Sequence, residues 1–116
     1  MAGSRERAVE DLAQLVNAVD QLQAGLRAAK SSYRRALRAL QRGDTVQVAL
    51  EAGASAETRE RITAVLEEFE RVRLTSRLSL VAAGAEEGMS INAMSRTWGI
   101  SRQLASRYLH RVRGDE

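Results

Sequence analysis

The sequence predicts an all-α protein, with long helices in the N-terminal part and a three-helix unit at the C-terminal end. The 116 residues include no proline and no cysteine, and 44% are hydrophobic although only 3% are aromatic. This composition is typical of helices that pack through leucine, valine and alanine. Two sequence patterns support the same fold class: a heptad repeat in the first forty residues and two short helical stretches around Gly99.

The first predicted helix runs from about residue 5 to residue 42 and is roughly 55 Å long at 1.5 Å per residue. Its apolar residues alternate in spacings of three and four, the pattern of a coiled coil. They are Leu12, Leu15, Val19, Leu22, Leu26, Ala29, Tyr33, Ala36 and Leu40. A helix this long needs a partner, which is either the later long helix, another copy of the protein, or both. We expect a helical, coiled-coil dimerisation region in which the chain pairs through Leu12, Leu15, Val19, Leu22, Leu26 and Tyr33.

Glycines and cap residues divide the middle of the chain. Gly43 is predicted to stop the first helix, and Asp44 to cap a short helix over about residues 45–52. Ser55 is the predicted cap of a second long helix, residues 56–87. The apolar stripe of that helix slips by two residues after Val72, so the helix either changes its buried face or breaks near residues 75–76. The stripe consists of Ile62, Val65, Phe69 and Val72, then Leu74, Leu78, Val81 and Ala85. We therefore expect a dimerisation region, residues 1–73, and a separate domain, residues 74–116.

Two short helices around a tight turn are predicted for residues 89–112. Ser90 can cap the first of them, and Met89 and Met94 are placed to form a hydrophobic staple across that cap. Gly99 can end the helix sharply, and Ser101 can cap a second helix that continues to about residue 112.

This stretch resembles the helix-turn-helix of DNA-binding proteins, in the three-helix form of small bacterial transcriptional regulators and of site-specific recombinases. The resemblance covers about a fifth of the chain. Ser95 stands where the family usually has alanine, a small change that preserves a close helix crossing. The residues that carry the resemblance are Met94, Ser95, Trp98, Gly99, Ile100, Ala105 and Tyr108. The resemblance implies that the helix over residues 102–112 enters the DNA major groove, and that Trp98 lies in a core with Leu78, Val81, Met94, Ile100, Leu104 and Tyr108.

The charge of residues 89–114 favours the same function. The segment contains five arginines, one histidine and no acid, whereas a solvated helix face normally mixes both signs. Arginine and glutamine can make paired hydrogen bonds to guanine and adenine edges. We expect Arg102, Gln103, Ser106 and Arg107 to face bases, and Arg96, Arg111 and Arg113 to neutralise phosphates. The predicted DNA-binding set is completed by the cap residues Ser90 and Ser101, with the Tyr108 hydroxyl also within reach of a phosphate.

Other functions find little support in the sequence. His110 is the only histidine and cysteine is absent, so we expect no metal site, no cofactor and no catalytic centre. The acidic residues within one helical turn are typical of a solvated helix face; they are Glu67, Glu68 and Glu70. No small-molecule ligand is evident. No apolar run approaches the length of a membrane span, and no signal-peptide core is visible. Seventeen arginines against one lysine indicate a GC-rich, bacterial genome, so we expect a cytoplasmic, nucleoid-associated protein.

Together these patterns predict a protein that binds specific sequences of double-stranded DNA and regulates transcription as a homodimer. Two alternatives stay open. One is an architectural, partition or phage-type DNA-binding protein. The other is a helical protein-interaction adaptor that does not bind DNA.

Overall fold

The computed structural model describes residues 3–114, and these residues form five α-helices without any strand. The helices are α1 (Ser4–Gln41), α2 (Val46–Gly53), α3 (Ala56–Glu86), α4 (Ile91–Trp98) and α5 (Arg102–Arg113). The all-α prediction is confirmed, with two long helices and three short ones. In this part of the chain, no helix combines the length and the apolar character needed to cross a membrane.

The connection between α1 and α2 corrects one predicted cap. Gly43 has a φ of +94°, the left-handed conformation that glycine adopts readily after a helix. The N-cap of α2 is Thr45, whose Oγ1 accepts a hydrogen bond from the Val48 backbone N–H at 3.2 Å. Asp44, the predicted cap, instead accepts a hydrogen bond from the Arg42 side chain at 2.8 Å. Aspartate and threonine both favour the N-cap position, so residue type alone does not distinguish Asp44 from Thr45. Thr45 is the cap because its backbone is extended and its hydroxyl reaches the Val48 N–H.

The described residues divide into two units. Asn17–Glu70 form one, which we call the middle unit; the residues before Asn17 together with those after Glu70 form the other, which we call the terminal unit. The middle unit contains most of α1, all of α2 and the first half of α3. The terminal unit contains the start of α1, the second half of α3, and the two short helices α4 and α5.

In the middle unit the helices meet through small residues. A Cβ added to Gly25 on α1 would lie 3.1 Å from both γ-methyl groups of Val65 on α3. A Cβ added to Gly53 on α2 would lie 1.8 Å from the backbone oxygen of Ser32, so α2 crosses α1 backbone to backbone. The buried residues on α1 and α2 here are Ala18, Ala29, Ser32, Ala39, Ala49 and Gly53. Only glycine, alanine and serine leave room for helices to approach this closely.

The line of buried residues on α1 is displaced from the large apolar side chains of the predicted seam. It passes through the buried Ala18, Ala29, Ser32 and Ala39, with half-buried residues at the intervening heptad positions. Of the predicted dimerisation residues, Leu15 and Leu22 are half-buried on this inner line. The other four point outward and are exposed: Leu12, Val19, Leu26 and Tyr33.

In the terminal unit, the second half of α3 has two buried faces. Ser79 donates a hydrogen bond to a carboxylate oxygen of Asp11 on α1, and Ser76 is also buried. At the helix end, the Ser4 hydroxyl donates to Glu86 at 2.7 Å. The other face carries Val81 and packs on α4 and α5. The slip in the apolar stripe therefore marks the start of a second buried face, since α3 continues without a break from Ala56 to Glu86.

Candidate nucleic-acid interface

Helix α4 begins and ends as its sequence predicts. The Ser90 hydroxyl accepts a hydrogen bond from the Ala93 N–H at 3.1 Å, which satisfies one free donor of the first turn. Gly99 ends the helix with φ 66° and ψ 31°, and its N–H donates to the Ser95 carbonyl oxygen. Glycine is required here because a side chain strains the left-handed conformation. The result is an abrupt change of direction within three residues.

Ser95 stabilises this turn through hydrogen bonds to Ile100. Its hydroxyl donates a hydrogen bond to the Ile100 carbonyl oxygen at 2.5 Å, while the Ile100 N–H donates to the Ser95 carbonyl oxygen at 3.2 Å. The side chain therefore bonds across the turn to the residue that follows Gly99. Sequence reasoning treated Ser95 as a tolerated replacement for alanine, and the structure gives it a bonding role of its own.

Helix α5 starts directly after the turn. The Ser101 hydroxyl accepts a hydrogen bond from the Leu104 N–H at 3.0 Å, as predicted for this cap. The helix ends at Gly114, whose φ of 76° is again left-handed. Arg111 and Arg113 lie in the last turn, where positive charge interacts favourably with the C-terminal end of the helix dipole.

A small apolar core holds α4 and α5 against α3. Four residues are buried at its centre, and seven partly buried ones pack around them. The buried four are Val81, Met94, Ala105 and Leu109. The surrounding seven are Ala85, Met89, Ile91, Trp98, Ile100, Tyr108 and Val112. The structure thus places both predicted staple methionines in this core, and Trp98 packs against it as expected.

Three core assignments need correction. Leu109 is buried but was not predicted, although it stands four residues after the inward-facing Ala105 and so shares its side of α5. Leu78 and Leu104 were predicted core residues; both are half-buried and neither belongs to this cluster. Helical spacing from Ala105 is the signal that could have identified Leu109.

The exposed side of α5 presents a row of polar and basic side chains. Gln103, Arg107 and Arg111 are spaced four apart, so they share one face, and all three are exposed. His110 is exposed beside them. Arg102 is exposed at the start of the helix and Arg113 at its end. Ser106 is half-buried and lies off this row, which makes it a weaker candidate for a base contact than its sequence position suggested.

The electrostatics of this region are one-sided. Within the described residues, ion pairs with acids are made by Arg5, Arg42 and Arg61 elsewhere in the chain. None of the five arginines of α4 and α5 makes such a pair within that part of the chain. These arginines, which a polyanion could therefore engage directly, are Arg96, Arg102, Arg107, Arg111 and Arg113.

Arg77 on α3 joins this region through Tyr108. Its Nη1 donates a hydrogen bond to the Tyr108 hydroxyl oxygen at 2.9 Å, and its guanidinium carbon lies 5.7 Å from the centre of the tyrosine ring. The Tyr108 hydroxyl therefore has a partner inside the unit, whereas sequence reasoning held it available for a phosphate. Arg77 was not predicted as part of the site, because nothing in the sequence links it to a residue thirty-one positions later.

The site offers charged and hydrogen-bonding side chains. In the described residues there is no cluster of three or more histidine, aspartate or glutamate side chains that could hold an ion. Over residues 3–114, the fold and the surface thus define an all-helical chain in which α4 and α5 form a basic pair of short helices. Comparison with protein-family models, with curated proteins and with solved structures gives no match for this chain. The functional argument therefore rests on the geometry and charge described above.

Proposed function

We propose that this protein binds double-stranded DNA at specific sequences, with α5 in the major groove, and regulates transcription as a homodimer. The observation that carries the proposal is the exposed row of Gln103, Arg107 and Arg111 on a helix whose surface has no acid. Arg111, expected from the sequence to neutralise a phosphate, is assigned to this row because it shares the face of Gln103 and Arg107. An α-helix fits the major groove, and glutamine and arginine are the side chains that bond adenine and guanine edges there. In this view the protein acts in the cytoplasm, on the nucleoid.

The remaining basic residues fit the backbone-contacting part of this role. Arg96 lies on α4, and Arg113 lies at the end of α5, so the two flank the groove-facing row. Phosphate contacts of this kind fix the position of a helix on the duplex and carry no sequence information themselves. Ser90 and Ser101 use their hydroxyl oxygens as caps and keep a hydroxyl proton for a phosphate.

The test has two steps and uses the full chain. Selection from a random duplex library identifies a preferred site, and fluorescence anisotropy then measures the affinity for that site and for a scrambled duplex. With two phosphate-contacting arginines per copy, Arg96 and Arg113, a dimer is expected to lose roughly a hundredfold in affinity between 50 and 200 mM salt. The matched control is Arg38→Ala, which removes an exposed arginine from the middle unit.

Each outcome separates the proposal from the alternatives. A preferred site that α5 variants weaken, while Arg38→Ala does not, supports the proposal. Equal affinity for all duplexes favours an architectural DNA-binding protein. The absence of DNA binding at low salt favours a protein-interaction adaptor and contradicts the proposal.

A further inference from the structure

Helix α1 exposes a stripe of large apolar side chains in the middle unit. The residues of this outer stripe are spaced seven, seven, four and three positions apart, and each has between 39% and 53% of its surface exposed. The two vacant heptad positions in the stripe are occupied by Gln23 and Lys30. The outer stripe consists of Val19, Leu26, Tyr33, Leu37 and Leu40.

The outer stripe is distinct from the face that α1 uses within its own chain. The inner line, through Ala18, Ala29 and Ser32, is buried, whereas the stripe points to solvent. Single exposed leucines are common on protein surfaces. A row whose positions repeat every 3.5 residues on average, once Gln23 and Lys30 are counted, is the pattern of a helix that packs along another helix. The stripe therefore fits a long helical partner better than a short peptide or a small ligand.

We infer that the outer stripe is the surface through which two copies of this chain pair, with their α1 helices antiparallel. Asp20 directly follows Val19, and Arg34 directly follows Tyr33, so the acid and the base lie on the same flank of the stripe. In an antiparallel pair of helices, equivalent flanks face each other. Asp20 of each copy then comes within reach of the partner's Arg34, which gives two ion pairs. Arg27 lies midway between them on the same flank and faces its own equivalent, so two attractive contacts are set against one repulsive one. One surface thereby carries both halves of the ion pair, as a symmetric dimer requires.

A parallel pair is disfavoured by the same charges. In register, it would set Lys30 of each copy against Lys30 of the other inside the apolar seam. It would also align residues 27–42, which contain six cations and no acid, with the identical run of the partner. Antiparallel pairing instead places Lys30 opposite an apolar side chain, and its long stem can carry the ammonium group to the edge of the seam. Charges of this kind determine orientation more than affinity.

This inference rests on the homodimer in the proposed function but not on DNA binding, so it is tested without DNA. Sedimentation velocity at micromolar concentrations compares the wild type with Leu26→Glu. Leu66→Glu is the matched control, because Leu66 on α3 is 46% exposed against 47% for Leu26 but lies outside the stripe. A carboxylate in an apolar seam should weaken dimerisation at least about a hundredfold. Leu66→Glu should leave it unchanged.

A gain-of-affinity variant separates loss of pairing from loss of folding. Lys30→Leu completes the apolar stripe and should tighten the dimer at least about tenfold, since it removes a charge from the seam. A monomeric wild type, or equal dimerisation by Leu26→Glu and Leu66→Glu, overturns the inference. Weaker pairing by Lys30→Leu also overturns it.

Orientation is measured with spin labels. The natural chain has no cysteine, so Gln41→Cys supplies a single attachment point at the end of α1. Antiparallel helices that overlap along the stripe place the two labels more than about 25 Å apart at 1.5 Å per residue, whereas a parallel, in-register pair places them within about 20 Å. A long distance supports the antiparallel pair, and a short one overturns it. DNA binding can fail independently of either result.

Discussion

The middle unit and the terminal unit are packed by different kinds of side chain. In the middle unit the helices meet through residues such as Ala29, Ser32 and Gly53. Most of the large apolar side chains of α1 there point outward, and Leu22 is half-buried. In the terminal unit α3, α4 and α5 pack around Val81 of α3 and Met94 of α4, which are fully buried. Small residues let long helices approach closely, whereas short helices need large side chains to bury enough apolar surface. The middle unit thus leaves several large apolar side chains of α1 exposed.

The largest loss of stability is expected at Gly53, where α2 and α1 of the middle unit are in close backbone contact. Gly53→Ala should destabilise it by about 3 kcal/mol, because the new Cβ would collide with the Ser32 backbone oxygen and force α2 away from α1. Gly43→Ala is the control: its left-handed φ is strained, but nothing lies within 4 Å of the added Cβ, so about 1 kcal/mol is expected. Urea denaturation followed by circular dichroism measures both. Equal losses would mean that backbone conformation, not crowding, limits the middle unit.

The next largest loss of stability is expected from a substitution that creates a cavity in the terminal unit. Met94→Ala should lower the stability of that unit by roughly 3 kcal/mol, because Met94 is fully buried and its removal empties the centre of the core. Leu66→Ala on the half-exposed surface of α3 should cost less than about 1 kcal/mol. Trp98 is the only tryptophan and packs on this core, so its fluorescence reports the terminal unit directly. Similar losses for both variants would contradict the contrast between the two units.

The sequence predicts the terminal unit better than the middle one, for a physical reason. Apolar periodicity locates large buried side chains, and these dominate the core around Met94 and Trp98. In the middle unit the buried positions of α1 and α2 are alanine, serine and glycine, which such periodicity detects poorly. The predicted seam therefore includes the buried Ala29 but also takes in the exposed Val19 and Leu26. The stripe's slip indicates the face of Val81, but periodicity does not detect that the first face of α3 continues past Val72 through the buried Ser76 and Ser79. The Arg77–Tyr108 contact depends on tertiary placement and leaves no local signal.

Substitutions on α5 should weaken sequence-specific DNA binding, whereas substitution of a basic residue in the middle unit should not. Arg107→Ala and Gln103→Ala should each cost about 1–3 kcal/mol on the preferred duplex and relax the preference at one position of each half-site. Arg38→Ala in the middle unit should change neither. Anisotropy on single-base variants of the site measures the effect. If Arg107→Ala weakens preferred and scrambled duplexes equally, α5 does not read sequence, and an architectural role becomes the better proposal.

The smallest effect is expected at Arg113, which separates anchoring from recognition within α5 itself. Arg113 lies at the C-terminal end of the helix, past the row of Gln103, Arg107 and Arg111, where a helix rising out of the groove meets the backbone. Arg113→Ala should therefore weaken binding to preferred and scrambled duplexes alike, and should lower the salt slope by about one unit per site. A salt series on both duplexes measures this. An effect confined to the preferred duplex would show that Arg113 contacts a base, so the groove-facing row would extend to the end of α5.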